Sequence, residues 1–304
     1  MQLKQSVHVL DYIKSTRNPT GVIMKSIEGK EPLAPIIAGT SSRGPSPISP
    51  SILKPDITAP GVDILAAYSP LASVSRLPGD TRRVPFNIIS GTSMSCPHVS
   101  GVAAYVKSIH PDWSPAAIQS AIITSAHPMS SKTNPDGEFA YGAGFLNPLG
   151  AAHPGLVYDR NETNYIDFLC AEGYNAQQLK ILTKDESRCS KSSIKSDGDL
   201  NYPSFTVSTL RLKQFRQIFE RTVTNVGSPQ STYKATFYAP KSTKIQFLIE
   251  PDTLKFKSTG EKLTFKMLVF GVLGQFDEAL VSASLVWDDG RHRVRSPIVV
   301  HVPF

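Results

Sequence analysis

The stretch with the clearest chemical potential runs from Asn87 to Gly101 and reads NIISGTSMSCPHVSG. An apolar run leads to Gly91, Ser93 follows in a tight turn, and the small residues after it predict a helix. Such a turn would lift the Ser93 hydroxyl clear of the backbone and aim the unpaired N–H groups of the helix at it. An oxyanion beside Ser93 could then accept a main-chain hydrogen bond. The pattern indicates nucleophilic catalysis, with Gly91 admitting a close backbone and Gly101 allowing tight helix packing.

A simpler interpretation makes Ser93 a helix cap. Serine is among the preferred N-cap residues, and for an isolated serine before a helix the cap is the usual explanation. The length of the surrounding string is what favours the catalytic interpretation here.

Composition excludes several function classes. The 304 residues carry a net charge of +7, and the lysines and arginines are scattered. The densest basic run, residues 180–195, is interleaved with acids and serines and lacks aromatic residues, so we expect a solvated loop and no nucleic-acid partner. No apolar run is long enough to span a membrane, so no membrane partner is expected. We also expect no metal and no cofactor.

The cysteines and one sequon bear on the compartment. We expect Cys96, among small neighbours, to be a small buried thiol. Cys170 and Cys189 flank a polar segment and could close a loop, which would imply an oxidising compartment, but their spacing alone leaves the pairing open. Asn161 begins the sequence Asn-Glu-Thr, an acceptor for N-glycosylation.

The elements before and after Ser93 read as an α/β arrangement. Residues 7–15 predict a short helix and residues 21–24 a strand. Residues 35–45 read as an apolar strand that ends in a turn, and residues 53–67 as two short buried strands typical of a parallel sheet. A helix should run from Ser93 to residue 109, followed by another with Ser114 as N-cap and proline at its first position.

The residue pattern of the chain changes at Asp199. Several short alternating or β-branched runs follow at regular spacing, and Asp289-Gly290 is a hairpin signal, which together predict a β-sandwich. We therefore expect residues 1–159 to form one domain, 160–198 a connector, and 199–304 the sandwich.

The string from Gly91 to Gly101 resembles the catalytic-serine signature of subtilisin-like serine proteases, and the blocks around it resemble plant, cucumisin-like subtilases. The resemblance implies an incomplete α/β subtilisin-like parallel-sheet domain followed by a fibronectin-III-like sandwich. It implies that Ser93 is the nucleophile and its backbone N–H an oxyanion donor, and that His98 lies outside the triad. It further implies a Cys170–Cys189 disulfide and an extracellular location, in the apoplast or cell wall.

The triad order of this family is Asp, then His, then Ser. Before Ser93 the only histidine is His8, and no aspartate precedes it. The N-terminus also lacks the apolar core of a secretory signal. We therefore expect the resemblance to cover only the C-terminal part of a longer protease, inactive alone, whose missing N-terminal part is a partner.

Two functions remain open at this stage. The first is a serine endopeptidase that hydrolyses protein or peptide substrates through Ser93. The second is a non-catalytic remnant that acts as a structural or protein-interaction module.

Overall fold

The computed structural model describes residues 3–22, 24, 25, 29, 33–75, 77–189, 197–241 and 243–303. The chain divides into two compact units, residues 1–34 and residues 35–304. Among the described residues, no helix combines the length and apolar character needed to cross a bilayer.

The first unit contains helix α1 (Leu3–Ser15), which confirms the predicted helix. Beyond its end, the Tyr12 hydroxyl accepts a hydrogen bond from the Thr20 N–H at 3.2 Å, which folds the chain back along the helix. The strand predicted at residues 21–24 is not formed by the described residues of that stretch, and Ile23 lies outside them.

The second unit is helical in its first part and β-rich in its last. Its elements are β1 (Ile64–Ala67), β2 (Phe86–Ile89), α2 (Thr92–Ile109), α3 (Pro115–Thr124), α4 (Glu138–Tyr141), α5 (Pro148–Ala152), β3 (Leu156–Val157), α6 (Glu162–Ala171), α7 (Ala176–Thr183), a 3₁₀ turn (Asp197–Asp199), β4 (Phe205–Ser208), β5 (Gln214–Asn225), β6 (Ser231–Tyr238), β7 (Gln246–Glu250), β8 (Thr253–Phe256), β9 (Lys262–Val272), β10 (Leu280–Asp288) and β11 (Arg293–His301). The predicted order is confirmed in so far as a part with most of the helices precedes a part that consists mostly of strands.

The strand pairing before Ser93 differs from the expected parallel sheet. β1 and β2 pair antiparallel, with Ile64 opposite Ile89. The parallel contact found among the described residues of this part is a single bridge between Thr58 and Phe145. Residues 35–45 form no strand, because their backbone bonds elsewhere: the Ile37 N–H donates to Oδ1 of buried Asn134 at 2.9 Å.

The helices around Ser93 follow their sequence signals. α3 begins as predicted, since Ser114 is its N-cap, Pro115 is its first residue, and the Ser114 hydroxyl accepts the Ala117 N–H at 3.0 Å. Val102 and Val106 bury one face of α2, where they pack with Ile118 and Ile122 of α3. This packing holds α2, and with it Ser93, against the rest of the unit.

The sandwich consists of two sheets over one aromatic core. Their strand orders are β4-β11-β10-β6-β8 and β3-β5-β9-β7. The fully buried side chains include Trp287 from β10 and Phe219 from β5, one from each sheet. The turn Asp289-Gly290 joins β10 to β11 as predicted, and Gly290 has the positive φ of 82° that favours glycine.

Strand β3 belongs to the sandwich although it precedes the connector. Leu156 pairs with Asn225 of β5, and both Leu156 and Tyr158 are fully buried in the sandwich core. The Tyr158 hydroxyl accepts a hydrogen bond from Ser296 at 2.9 Å. A sandwich that began at residue 199 would therefore lack one strand and part of its core.

Candidate functional site

The turn that carries Ser93 is anchored on the loop before β1. The Gly91 N–H donates to the Gly61 carbonyl at 2.7 Å, and the Ser95 hydroxyl donates to the Ala59 carbonyl at 3.0 Å. A Cβ added at Gly61 would lie 2.2 Å from Ser95 Oγ, so this position accepts no side chain. The close approach expected at Gly91 is thus made possible by the missing side chain of Gly61.

A second anchor lies one residue further back. The Ser90 hydroxyl accepts the Asp63 N–H at 2.8 Å and donates to Asp63 Oδ1 at 3.1 Å. Because β2 ends at Ile89, this pair fixes the chain between the strand and the helix. Sequence reasoning missed both supports, and Pro60-Gly61 was the only signal that a turn packs here.

Ser93 is the second residue of α2, and its side chain is exposed. The N-cap position belongs to Gly91, with no side-chain cap, so the interpretation of Ser93 as a cap is wrong. The Met94 N–H donates to the Gly91 carbonyl at 3.0 Å, whereas no acceptor for the Ser93 N–H is found among the described residues. An exposed hydroxyl therefore lies next to an unpaired N–H at the positive end of an 18-residue helix.

Pro97 modifies the first turns of α2. It lies inside the helix and has no N–H to donate to the carbonyl of Ser93, four residues earlier. The Ser93 carbonyl therefore lacks the helical hydrogen bond that carbonyls deeper in α2 accept.

None of the histidines described in the second unit hydrogen-bonds the Ser93 hydroxyl. His98 Nδ1 contacts the Met94 carbonyl at 2.8 Å, one turn back along α2. His110 stacks on Trp113 with ring centroids 3.9 Å apart, and its Nε2 contacts the Ala152 carbonyl at 2.8 Å. The His98 and His110 imidazoles therefore contact backbone carbonyls and not the Ser93 hydroxyl.

A cavity of about 290 Å³ opens beside the turn, lined by Thr92, Cys96 and Val99 on the α2 side. Cys96 is exposed, contrary to the expected buried thiol, because the packed face of α2 consists of the buried Val102 and Val106 and the partly buried Val99, and Cys96 lies outside it. The prediction that Gly101 allows tight helix packing is wrong, since nothing lies within 4 Å of a Cβ built there.

Comparisons with known proteins agree with this geometry. The model of the subtilase family matches residues 31–144, and that of a fibronectin type-III domain matches residues 199–300. Subtilisin-like protease SBT4.6 of Arabidopsis thaliana is 50% identical over 297 residues, which cover 96% of this chain and 40% of that protein. SBT4.15 of the same plant is 50% identical over 305 residues, covering 96% and 39%.

Residues 31–144 thus belong to the subtilase family, and nearly the whole chain is similar to plant subtilisin-like proteases. The chain spans about 40% of the length of the relatives it matches. Among solved structures, a FixG-related protein from Vibrio parahaemolyticus covers 30% of this chain and 97% of its own, with a TM-score of 0.23 and 11% identity, a likeness too weak to support any argument.

The connector carries the remaining residues singled out in the sequence. The structure joins Cys170 to Cys189 in a disulfide, with Cα atoms 5.7 Å apart. Asn161 is exposed and caps α6: its Oδ1 accepts the Asn164 N–H at 3.1 Å, and Asn164 Oδ1 accepts the Asn161 N–H at 3.0 Å. The Asn161 Nδ2, which a glycan would modify, makes no hydrogen bond to a described residue.

Proposed function

We propose that this chain is the part of a subtilisin-like serine endopeptidase that supplies the nucleophile. Ser93 would attack the carbonyl carbon of a peptide bond, and its own N–H would stabilise the oxyanion that forms. The observation that carries the proposal is the exposed Ser93 hydroxyl beside an unpaired N–H at the start of α2.

The base and its orienting carboxylate would come from residues outside this chain. His98, the histidine nearest to Ser93 in sequence, is held to the Met94 carbonyl. A serine without a base retains only the part of the catalysis that the oxyanion donors and binding supply, which is about 10³- to 10⁴-fold over water and roughly 10⁶-fold below a complete triad. We therefore expect the isolated chain to be inactive on protein and peptide substrates.

An extracellular location would fit this function. The Cys170–Cys189 disulfide persists only where the environment is oxidising, and the Asn161 sequon is exposed as glycosylation requires.

The test is labelling with a fluorophosphonate probe, which reacts with activated serines. The chain would be labelled alone and after mixing with the upstream part of its parent protease, and the modified residue would be mapped by mass spectrometry. Ser93→Ala removes the proposed nucleophile, and Ser100→Ala, an exposed serine of the same helix, is the matched control.

We expect stoichiometric labelling of Ser93 only in the mixture, abolished by Ser93→Ala and unchanged by Ser100→Ala. Rapid labelling of the chain alone would refute the external base. Labelling that persists in Ser93→Ala would refute the nucleophile. No labelling in either sample, with the two parts shown to associate, would favour the non-catalytic interaction module instead.

A further inference from the structure

A second cavity, of about 320 Å³, lies between the helical part and the sandwich, and we call it the junction cavity. Thr124, Ser125 and Asn147 line one side of it, and residues of β10, β11 and their hairpin line the other. Its titratable lining residues are all basic: Arg291, Arg293, Arg295, His153 and His292. No acidic side chain occurs among its described lining residues.

Arg295 is the residue that makes this cavity unusual. Val294 and Ile298 of the same strand point into the sandwich core, so Arg295 faces the helical part. Its Nε is buried without a hydrogen-bond partner, and no hydrogen bond or ion pair joins its guanidinium to any described residue. Arg295 as a whole is half-buried, but a buried N–H without a partner is costly, and such groups are normally paired.

The acidic groups near the cavity are engaged elsewhere. Asp288 pairs with Arg293 at 3.3 Å, and Asp289 pairs with His292 at 3.0 Å. Glu138 acts on Arg295 from a distance, but its carboxylate accepts a hydrogen bond from Ser282, and burial raises its pKa.

Arg291 adds a second free positive charge at the mouth of the cavity. It lies exposed in the β10–β11 hairpin, where its backbone N–H donates to Asp289 at 2.9 Å. Its guanidinium makes no ion pair with a described residue. Two of the three arginines that line the cavity, Arg291 and Arg295, therefore make no direct ion pair with a described residue.

We propose that the junction cavity binds an oxyanion, a phosphate or carboxylate group, through Arg295 at its base and Arg291 at its mouth. The guanidinium fork offers parallel N–H donors that match two oxygens of either group. A water molecule takes up about 30 Å³ in the liquid, so the cavity holds such a group with its hydration. A bound oxyanion would join the helical part to the sandwich, because both line the cavity.

The test measures binding and thermal stability of the whole chain at low ionic strength, with inorganic phosphate in one arm and acetate in the other. Arg295→Gln removes the guanidinium of the half-buried arginine, Arg295→Lys keeps its charge but loses the fork, and Arg291→Gln leaves Arg295 intact. Arg216→Gln, on an exposed position of β5, is the matched control for the overall positive charge.

We expect phosphate or acetate to bind the wild-type chain and to raise its Tm. Arg295→Gln should weaken binding ten- to hundredfold, Arg295→Lys and Arg291→Gln should weaken it less, and Arg216→Gln should not change it. The stronger of the two arms would identify the group that the cavity prefers. Absence of binding in both arms would overturn the proposal, as would equal losses in Arg291→Gln and Arg216→Gln. Arg291→Gln decides the matter if Arg295→Gln does not fold.

Discussion

A substitution of Leu156 tests whether the sandwich includes residues before the region 199–304 that the sequence pattern predicts. The side chain is fully buried in the sandwich core, and its backbone pairs with Asn225 of β5. Leu156→Ala keeps the backbone pairing and removes only the part of the side chain that fills the core. The substitution therefore probes the packing of β3 and little else.

The expected cost follows from the atoms removed. Leu156→Ala deletes three buried carbons, worth about 0.8 kcal/mol each, or roughly 2.4 kcal/mol of transfer free energy. The cavity left behind adds to this, so we expect a loss of about 3 to 4 kcal/mol in the free energy of unfolding of the sandwich. Leu149→Ala is the matched control, because Leu149 in α5 is 77% exposed. Its effect should lie within about 0.5 kcal/mol.

Urea unfolding followed by the fluorescence of Trp287 measures this directly. Trp287 is fully buried in the sandwich, and the only other tryptophan, Trp113, can be replaced by phenylalanine in every variant so that the signal reports the sandwich alone. If Leu156→Ala lowers the free energy of unfolding no more than Leu149→Ala does, β3 is not part of the sandwich core and the reasoning fails.

Three further predictions concern the disulfide, a buried carboxyl and the turn before Ser93. Cys170→Ala opens a loop whose ends are 19 residues apart, and we expect a loss of about 3 kcal/mol, seen as a lower Tm that reductant no longer changes. Burial raises the pKa of Glu138 above its ordinary value of 4.5. The folded state therefore loses stability relative to the unfolded chain as pH rises from that value through the raised pKa. Glu138→Gln should therefore gain stability over the wild type between pH 4 and pH 7 in urea titrations, and a difference independent of pH would contradict this. Gly61→Ala should lower the free energy of unfolding by about 1–3 kcal/mol, because its Cβ would lie 2.2 Å from Ser95 Oγ. Gly101→Ala in α2, where a Cβ meets nothing, should raise the free energy of unfolding by about 0.5–1 kcal/mol. Equal effects of the two substitutions in thermal unfolding would disprove the close contact.

The sandwich was largely predictable from the sequence because its signals are local. Alternating burial along β5 and the Asp289-Gly290 turn both follow from short-range patterns. Two of its strands were missed. β7 contains the alternating Phe247 and Ile249, but it is only five residues long, and β3 is two residues long and pairs with a strand some 68 positions later.

The surroundings of Ser93 were less predictable, because the contacts that shape them are distant in sequence. The helix start was visible in the string around Gly91, but the hydrogen bond from its N–H to the Gly61 carbonyl joins residues 30 positions apart. The antiparallel pairing of β1 with β2 could not be read from apolar content, which is the same for either direction. The exposure of Cys96 likewise depends on which face of α2 packs against α3.

The position of β3 has a consequence for a chain that is cut. Because Leu156 and Tyr158 enter the sandwich before the connector begins, a nick anywhere between residues 160 and 198 would separate two pieces that still share one core. A nick between Cys170 and Cys189 would in addition leave the pieces covalently joined. The cleaved molecule would run as two bands on a reducing gel and as a single particle in solution.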